Sequence, residues 1–274
     1  MPLLAGVAVL AAATAFASRP DDGFPARSER LPGTPVELRV QDGVTSSELD
    51  AIRAGILIVH RFIARTLDSR VRGPVEARIA HEDSCRGSDS GERSLIGEGG
   101  AGYLCVDTQN VEWDAVRSTD RPAATAVSGH EYVHVWQSEL GCLPSGEQRR
   151  YRWIVEGMAS EIAWKALLRA QRVTSAGVSR RIRREGDFDA NRRPLRAYER
   201  AGGRPPQYAL WHLAIRTLLR ESVRNGTAPR ARPEVALRAF CRRVGGGTPW
   251  RAAFARSFGL PLAGFYSRFE AARP

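Results

Sequence analysis

Apolar and polar residues alternate along VELRV, residues 36–40, as in a strand with one covered face. The period then changes. In ELDAIRAGILIVHRFIARTL, residues 48–67, apolar side chains recur every three or four positions, which predicts a long amphipathic helix that Ser46 or Ser47 can cap. Alternation returns in PVEARIA, residues 74–80, and a Gly/Ser-rich loop over 82–100 leads to a short apolar strand, AGYLCVDT, over 101–108. From residue 119 onward the pattern is helical. One helix starts near Pro122, suited to a first turn, and runs to about Leu140, where Gly141 and Pro144 stop it. Three more are expected over 152–171, 206–222 and 233–244, and TPWRAAFARSFG and PLAGFYSRFEAAR close the chain as short helices. The expected class is α+β: a small α/β lobe over 36–118 with one helix on a sheet, then a mainly helical lobe over 119–274.

Residues 1–17 read differently. An uncharged apolar run from Leu3 ends in Ala15-Phe16-Ala17, the small-x-small pattern of a secretory signal cleaved after Ala17. No Lys or Arg precedes the run, so an uncleaved anchor or a misplaced start codon is the alternative. Residues 18–35, rich in Pro, Arg and Asp and without periodicity, are expected to be a flexible leader. No later apolar run is long enough to cross a bilayer, so a secreted chain without stable membrane insertion is expected.

Composition adds two points. Four cysteines are an even number in an exported chain, and local spacing favours Cys85–Cys105, which leaves Cys142–Cys241. The net charge is +11, yet Lys165 is the only lysine. Basicity carried almost wholly by arginine is what high G+C coding produces, so the charge is weak evidence for a partner. The densest patch, over 179–200, is interrupted by acids and has few aromatics, as in a solvated helix and loop; no specific nucleic-acid partner is expected.

The chemistry lies in AVSGHEYVHVWQSEL, residues 126–140, where His130, Glu131 and His134 form H-E-x-x-H on the expected helix. Two histidines four apart share a helix face, at a spacing from which both imidazoles reach one ion, and Glu131 lies close enough to act on a bound water without being a ligand. A catalytic zinc needs a third protein ligand and an open position. A third histidine at 140 is ruled out, because Gln137 and Leu140 occupy the places where a metzincin has Gly and His. His60, His81 and His212 are isolated. Glu156, in RWIVEGMASEIAW over 152–164, stands in an apolar helix start where a lone carboxylate is costly to bury and coordination removes the cost. Gly157 and Ala159 are small enough to bring that helix close to the first. An exposed pair of helix acids, Glu156 and Glu161, is the bland alternative.

H-E-x-x-H followed some twenty residues later by W-x-x-E-G-x-A-S resembles the gluzincin metallopeptidases, and especially small exported peptidase-MA-like members. The resemblance covers about residues 36–272. It implies a zincin-like fold with the active-site cleft between the two lobes, a Zn²⁺ held by His130, His134 and Glu156, and hydrolysis of a peptide or protein substrate with Glu131 as general base. It also implies an oxyanion donor at Tyr208 or His212, four residues apart in PPQYALWHLAI, with Tyr208 favoured at the helix start. One departure is Ser160, where thermolysin-like enzymes carry an acid; Glu161 comes one residue later. Two other readings fit the sequence: a catalytically weak zincin-fold binding or maturation protein, and an arginine-rich surface or polyanion-binding protein in which the motif is incidental.

Overall fold

The computed structural model describes residues 26–81, 97–100, 102–108, 121–143, 151–186, 193–199 and 207–273. The expected signal segment, the first part of the leader, Cys85 and most of the 82–100 loop lie outside the described residues. The chain is α+β. Five strands, β1 (Ala26–Arg30), β2 (Val36–Gln41), β3 (Val75–Ala80), β4 (Gly97–Gly100) and β5 (Tyr103–Asp107), form one sheet in the order β1-β2-β3-β5-β4. The inner strands β2, β3 and β5 are parallel, and β1 and β4 pair antiparallel at the two edges. In β2 the alternation works as read: Val36, Leu38 and Val40 are buried and Glu37 is exposed.

Part of the flexible-leader expectation is corrected. Residues 26–30 pair with β2 from Ala26 opposite Gln41 to Arg30 opposite Glu37. The segment ARSER has no apolar face, and an edge strand needs none: backbone hydrogen bonds and an ion pair from Glu29 to Arg53 hold it. The intervening turn closes through Leu31 N–H donating to Val36 O at 2.9 Å and the Thr34 hydroxyl donating to Leu31 O at 2.9 Å. β4 likewise falls inside the region expected as loop, because Gly-Glu-Gly-Gly carries no strand propensity.

Between β2 and β3 runs α1 (Ser46–Thr66), the crossover of a parallel βαβ unit. Its cap is Thr45, not Ser46 or Ser47. Glu48 stands three residues after Thr45, so its carboxylate accepts from Thr45 N–H at 2.7 Å while the Thr45 hydroxyl oxygen accepts from Glu48 N–H, a reciprocal box that neither serine completes.

The helical part comprises α2 (Arg121–Glu139), α3 (Arg152–Arg169), α4 (Ser175–Gly186), a short 3-10 turn (Leu195–Glu199), α5 (Tyr208–Arg224), α6 (Val235–Gly245), α7 (Trp250–Phe258) and α8 (Leu262–Ala272). α2 lies between α1 and α3, and α3 packs in turn on α5. The α1–α2 approach is close because of Gly55, where a Cβ would stand 2.2 Å from Thr125 O and 2.1 Å from Ser128 Oγ. One hydrophobic core runs from Val36 in the sheet through Trp136 and Trp153 to Phe269, so the two expected lobes share a single interior.

Two cross-links brace the helices. A disulfide joins Cys142, just past α2, to Cys241 in α6, the pairing expected from the sequence; Cys105 is also disulfide-bonded. Lys165 of α3 lies 3.4 Å from Glu234, whose side chain is 0% exposed and makes no hydrogen bond. Among the described residues no helix is long and apolar enough to cross a membrane.

Candidate metal centre

α2 presents His130 and His134 on one face, one turn apart, and α3 crosses that face at Glu156. The three donor atoms form a small triangle. His130 Nε2 and His134 Nε2 are 3.0 Å apart, and Glu156 Oε2 lies 3.2 Å from the first and 3.3 Å from the second. Tetrahedral coordination with bonds of about 2.0–2.2 Å spaces neighbouring donors roughly 3.3–3.6 Å apart, so a two-nitrogen, one-oxygen set of this size suits zinc with a few tenths of an ångström of adjustment. Side-chain exposure is 14% for His130 and Glu156 and 8% for His134, which leaves the group shielded yet reachable from solvent on one side.

The outer partners fix how these donors point. Gln137 Oε1 can only accept, so the 2.7 Å contact with His134 places a hydrogen on Nδ1, which in the neutral imidazole leaves the Nε2 lone pair toward the other donors. The amide nitrogen of Gln137 donates to Val155 O at 3.0 Å, tying α2 to the backbone beside Glu156. Ser160 Oγ lies 3.3 Å from His130 Nδ1, so the residue that stands where thermolysin-like sequences have an acid supports the first histidine by its hydroxyl. Arg152 donates to the other Glu156 oxygen, Oε1, at 3.4 Å.

Electrostatics follow from that convergence. Burial raises the cost of ionising Glu156, but the two imidazoles outweigh it and hold the carboxyl well below its ordinary range. Burial disfavours charge on His134 as well, and the Glu156 carboxylate reverses this, pushing the imidazole up to about 9, with a smaller contribution from Glu131. Glu131 is itself buried and next to His130 in the chain, so its field already acts within the centre.

The two expected oxyanion donors separate. Tyr208, at the first turn of α5, is 38% exposed and its ring meets His130 edge-on, with centroids 5.9 Å apart. His212, one turn later, is buried and its Nε2 lies 2.8 Å from Glu161 Oε2. Glu161 is therefore not a spare acid; it anchors α5 to α3. The expected role of Gly157 also changes partner. Its missing side chain admits α5, since a Cβ there would stand 2.5 Å from Trp211 O and 2.8 Å from Ile215 Cγ1, whereas the closeness of α2 comes through Glu156 and Gln137.

Gln137, Ser160 and Arg152 were not singled out as supports by the sequence reading. Their spacing carried the signal: Gln137 is three residues after His134, and Arg152 and Ser160 are four on either side of Glu156, so each shares a helix face with a ligand candidate. No protein-family model matches the chain, and no curated protein matches it.

Proposed function

We propose that the chain is a zinc-dependent peptidase of the gluzincin type, with a zincin-like fold and His130, His134 and Glu156 as metal ligands. The observation that carries the reading is the 3.0–3.3 Å triangle of two imidazole nitrogens and a carboxylate oxygen, with a second acid, Glu131, buried beside it. When bound, zinc supplies a Lewis acid that polarises a carbonyl and lowers the pKa of a coordinated water towards neutrality. The chain's own residues do the rest. Glu131 takes a proton from the attacking water and returns it to the departing amine, a role that fits an acid adjacent to a ligand without belonging to the donor set. Tyr208, at the exposed mouth beside His130, donates its hydroxyl to the oxyanion. Gln137 holds His134 in the tautomer that keeps its Nε2 lone pair for the metal, and Ser160 can accept from His130 Nδ1 to do the same for His130.

A peptide substrate is favoured by the sheet. β4 is an edge strand that packs beside α2, so an extended peptide laid along its backbone would run beside the helix that carries His130 and His134. Strand pairing reads main chain and not side chain, which suits hydrolysis of backbone amides.

The test is metal analysis of untagged protein together with cleavage of casein or a peptide library. Near-stoichiometric zinc with turnover is expected, and Glu131→Gln should keep the zinc while losing about 10²–10⁴-fold in rate. Protein that contains no zinc, or a Glu131→Gln variant as active as the parent, overturns the proposal; zinc without turnover in either protein indicates a zincin-fold binding protein instead.

A further inference from the structure

A concavity lies at the C-terminal end of α2, where Glu139 and Leu140 line it. Its volume is about 660 Å³, and it is bounded by the end of α1, the turn that follows, the end of α2 and α6. The charged lining is Asp68, Arg70, Arg72, Glu139 and Arg242. The two acids are already engaged. Glu139 accepts from Arg72 N–H at 2.8 Å and from Gly73 N–H at 2.9 Å, and Asp68 is paired with Arg238 at 3.7 Å, whose guanidinium also donates to the Asp68 carbonyl. The three arginines of the lining are different: Arg70, Arg72 and Arg242 are exposed, and among the described residues their guanidinium groups have no acid or hydrogen-bond acceptor. Three like charges lining one cleft repel each other unless something between them is negative.

A neutral donor joins them. Ser69 Oγ accepts from Trp136 Nε1 at 2.9 Å, which leaves its own O–H to donate. The turn that presents Ser69 and Arg70 is held by Asp68 in the left-handed region at φ 46°, a conformation that costs a non-glycine residue free energy and is kept only where the surroundings enforce it. Here the Arg238 contacts to Asp68 and the bond from Ser69 N–H to Ile63 O enforce it. Ala64 and Leu140 complete the wall with apolar surface.

We propose that this cleft binds a small multivalent oxyanion, a phosphoryl or dicarboxylate group carried on a compact molecule, between the Arg70, Arg72 and Arg242 guanidiniums. Guanidinium forks match such oxygens in pairs, and the concave wall concentrates their field where a flat arginine-rich surface disperses it. The site is separate from the metal centre and does not depend on the peptidase reading.

Calorimetric titration of the full chain as purified at low ionic strength with sulfate and, separately, with succinate tests it. At least one should bind with Kd of about 1 mM or tighter, and Arg70→Gln combined with Arg242→Gln should weaken it about tenfold or more, the loss expected when charged hydrogen bonds are removed. The arm that binds identifies the source as phosphoryl-like or carboxylate. Because both arginines are exposed and unpaired, the double variant should melt at the parent's temperature, and Glu156→Gln should bind the anion as the parent does. Absence of binding by both probes up to about 10 mM, equal binding by the arginine variant, or loss of binding in Glu156→Gln, which would put the anion on the metal, overturns the proposal.

Discussion

Replacing Gly157 by Ala probes the helix contact beside Glu156, the proposed third metal ligand. The added Cβ would stand 2.5 Å from Trp211 O and 2.8 Å from Trp211 C and Ile215 Cγ1. Ordinary contact begins at 3.4 Å, so α3 and α5 must separate by about 0.9 Å, the difference between 3.4 and 2.5. A backbone carbonyl cannot swing aside as a side-chain end can. Overpacking of this kind costs about 1–3 kcal/mol, at the upper end for a rigid neighbour, and alanine's better helix propensity returns about 1 kcal/mol. The net is about 2 kcal/mol of destabilisation, or a fall in Tm of roughly 4–8 °C for a chain of this size. Glu156 is the preceding residue, so on the proposed ligand set the same displacement should weaken zinc binding about tenfold or more, the scale seen when a ligand loses its support. The assays are differential scanning calorimetry and zinc competition against a chromophoric chelator. Gly264→Ala in α8 is the matched control: its Cβ would meet only Pro261, at 3.6 and 3.9 Å, and should stabilise by about 0.4–1 kcal/mol. A Gly157→Ala protein with the parent's Tm and zinc affinity would refute the close approach and the argument built on it.

Gln137→Leu removes both the His134 support and the bond to Val155 O, and should reduce zinc affinity about 10–100-fold, measured by competition, while a Ser138→Ala control stays at the parent value. Replacing Cys142 and Cys241 by Ser opens a link with a sequence separation of 99 and should cost about 2–5 kcal/mol in denaturant unfolding; an unchanged midpoint would show the bridge to be energetically idle. His60 gives a pH dependence. Burial first, then the charges of Arg61 and Arg70, lower its pKa below 6.5, so its neutral form contributes stability that is present above 6.5 and lost as pH falls through the lower folded value. Thermal unfolding from pH 7 down to 5 should therefore fall less steeply for His60→Gln than for the parent, and superimposable profiles would contradict the assignment.

Sequence periodicity located most of the elements because their faces are one-sided. The apolar residues that predicted 48–67 as a helix are those that α1 buries, among them Leu49, Ile52, Ile56 and Ile63, and the helix over 152–171 ends within two residues of α3. β1 and β4 escaped for the converse reason. ARSER and GEGG hold their places through backbone pairing, which leaves no trace in a hydropathy pattern. At the site, His130, Glu131 and His134 were legible because four consecutive steps on one helix fix their relative positions. Glu156 was legible through the cost of a carboxylate among apolar neighbours. What local pattern could not supply was the choice of partners across helices: His212 against Glu161, Gly157 against Trp211, and Gln137 reaching Val155 O are pairings between segments, set by how α2, α3 and α5 stack.

The lone lysine makes the protein a poor subject for amine chemistry. Acylating dyes, aldehyde fixatives and amine-directed crosslinkers have one side chain to attack, Lys165, and at 32% side-chain exposure it is within their reach. Acylation would neutralise the cation 3.4 Å from Glu234 and leave that carboxylate buried without its counterion, a loss on the order of 3–5 kcal/mol. A reagent meant to report on the native surface would thus act as a denaturant of the molecules it labels. Reagents aimed at arginine or at exposed carboxylates avoid that coupling.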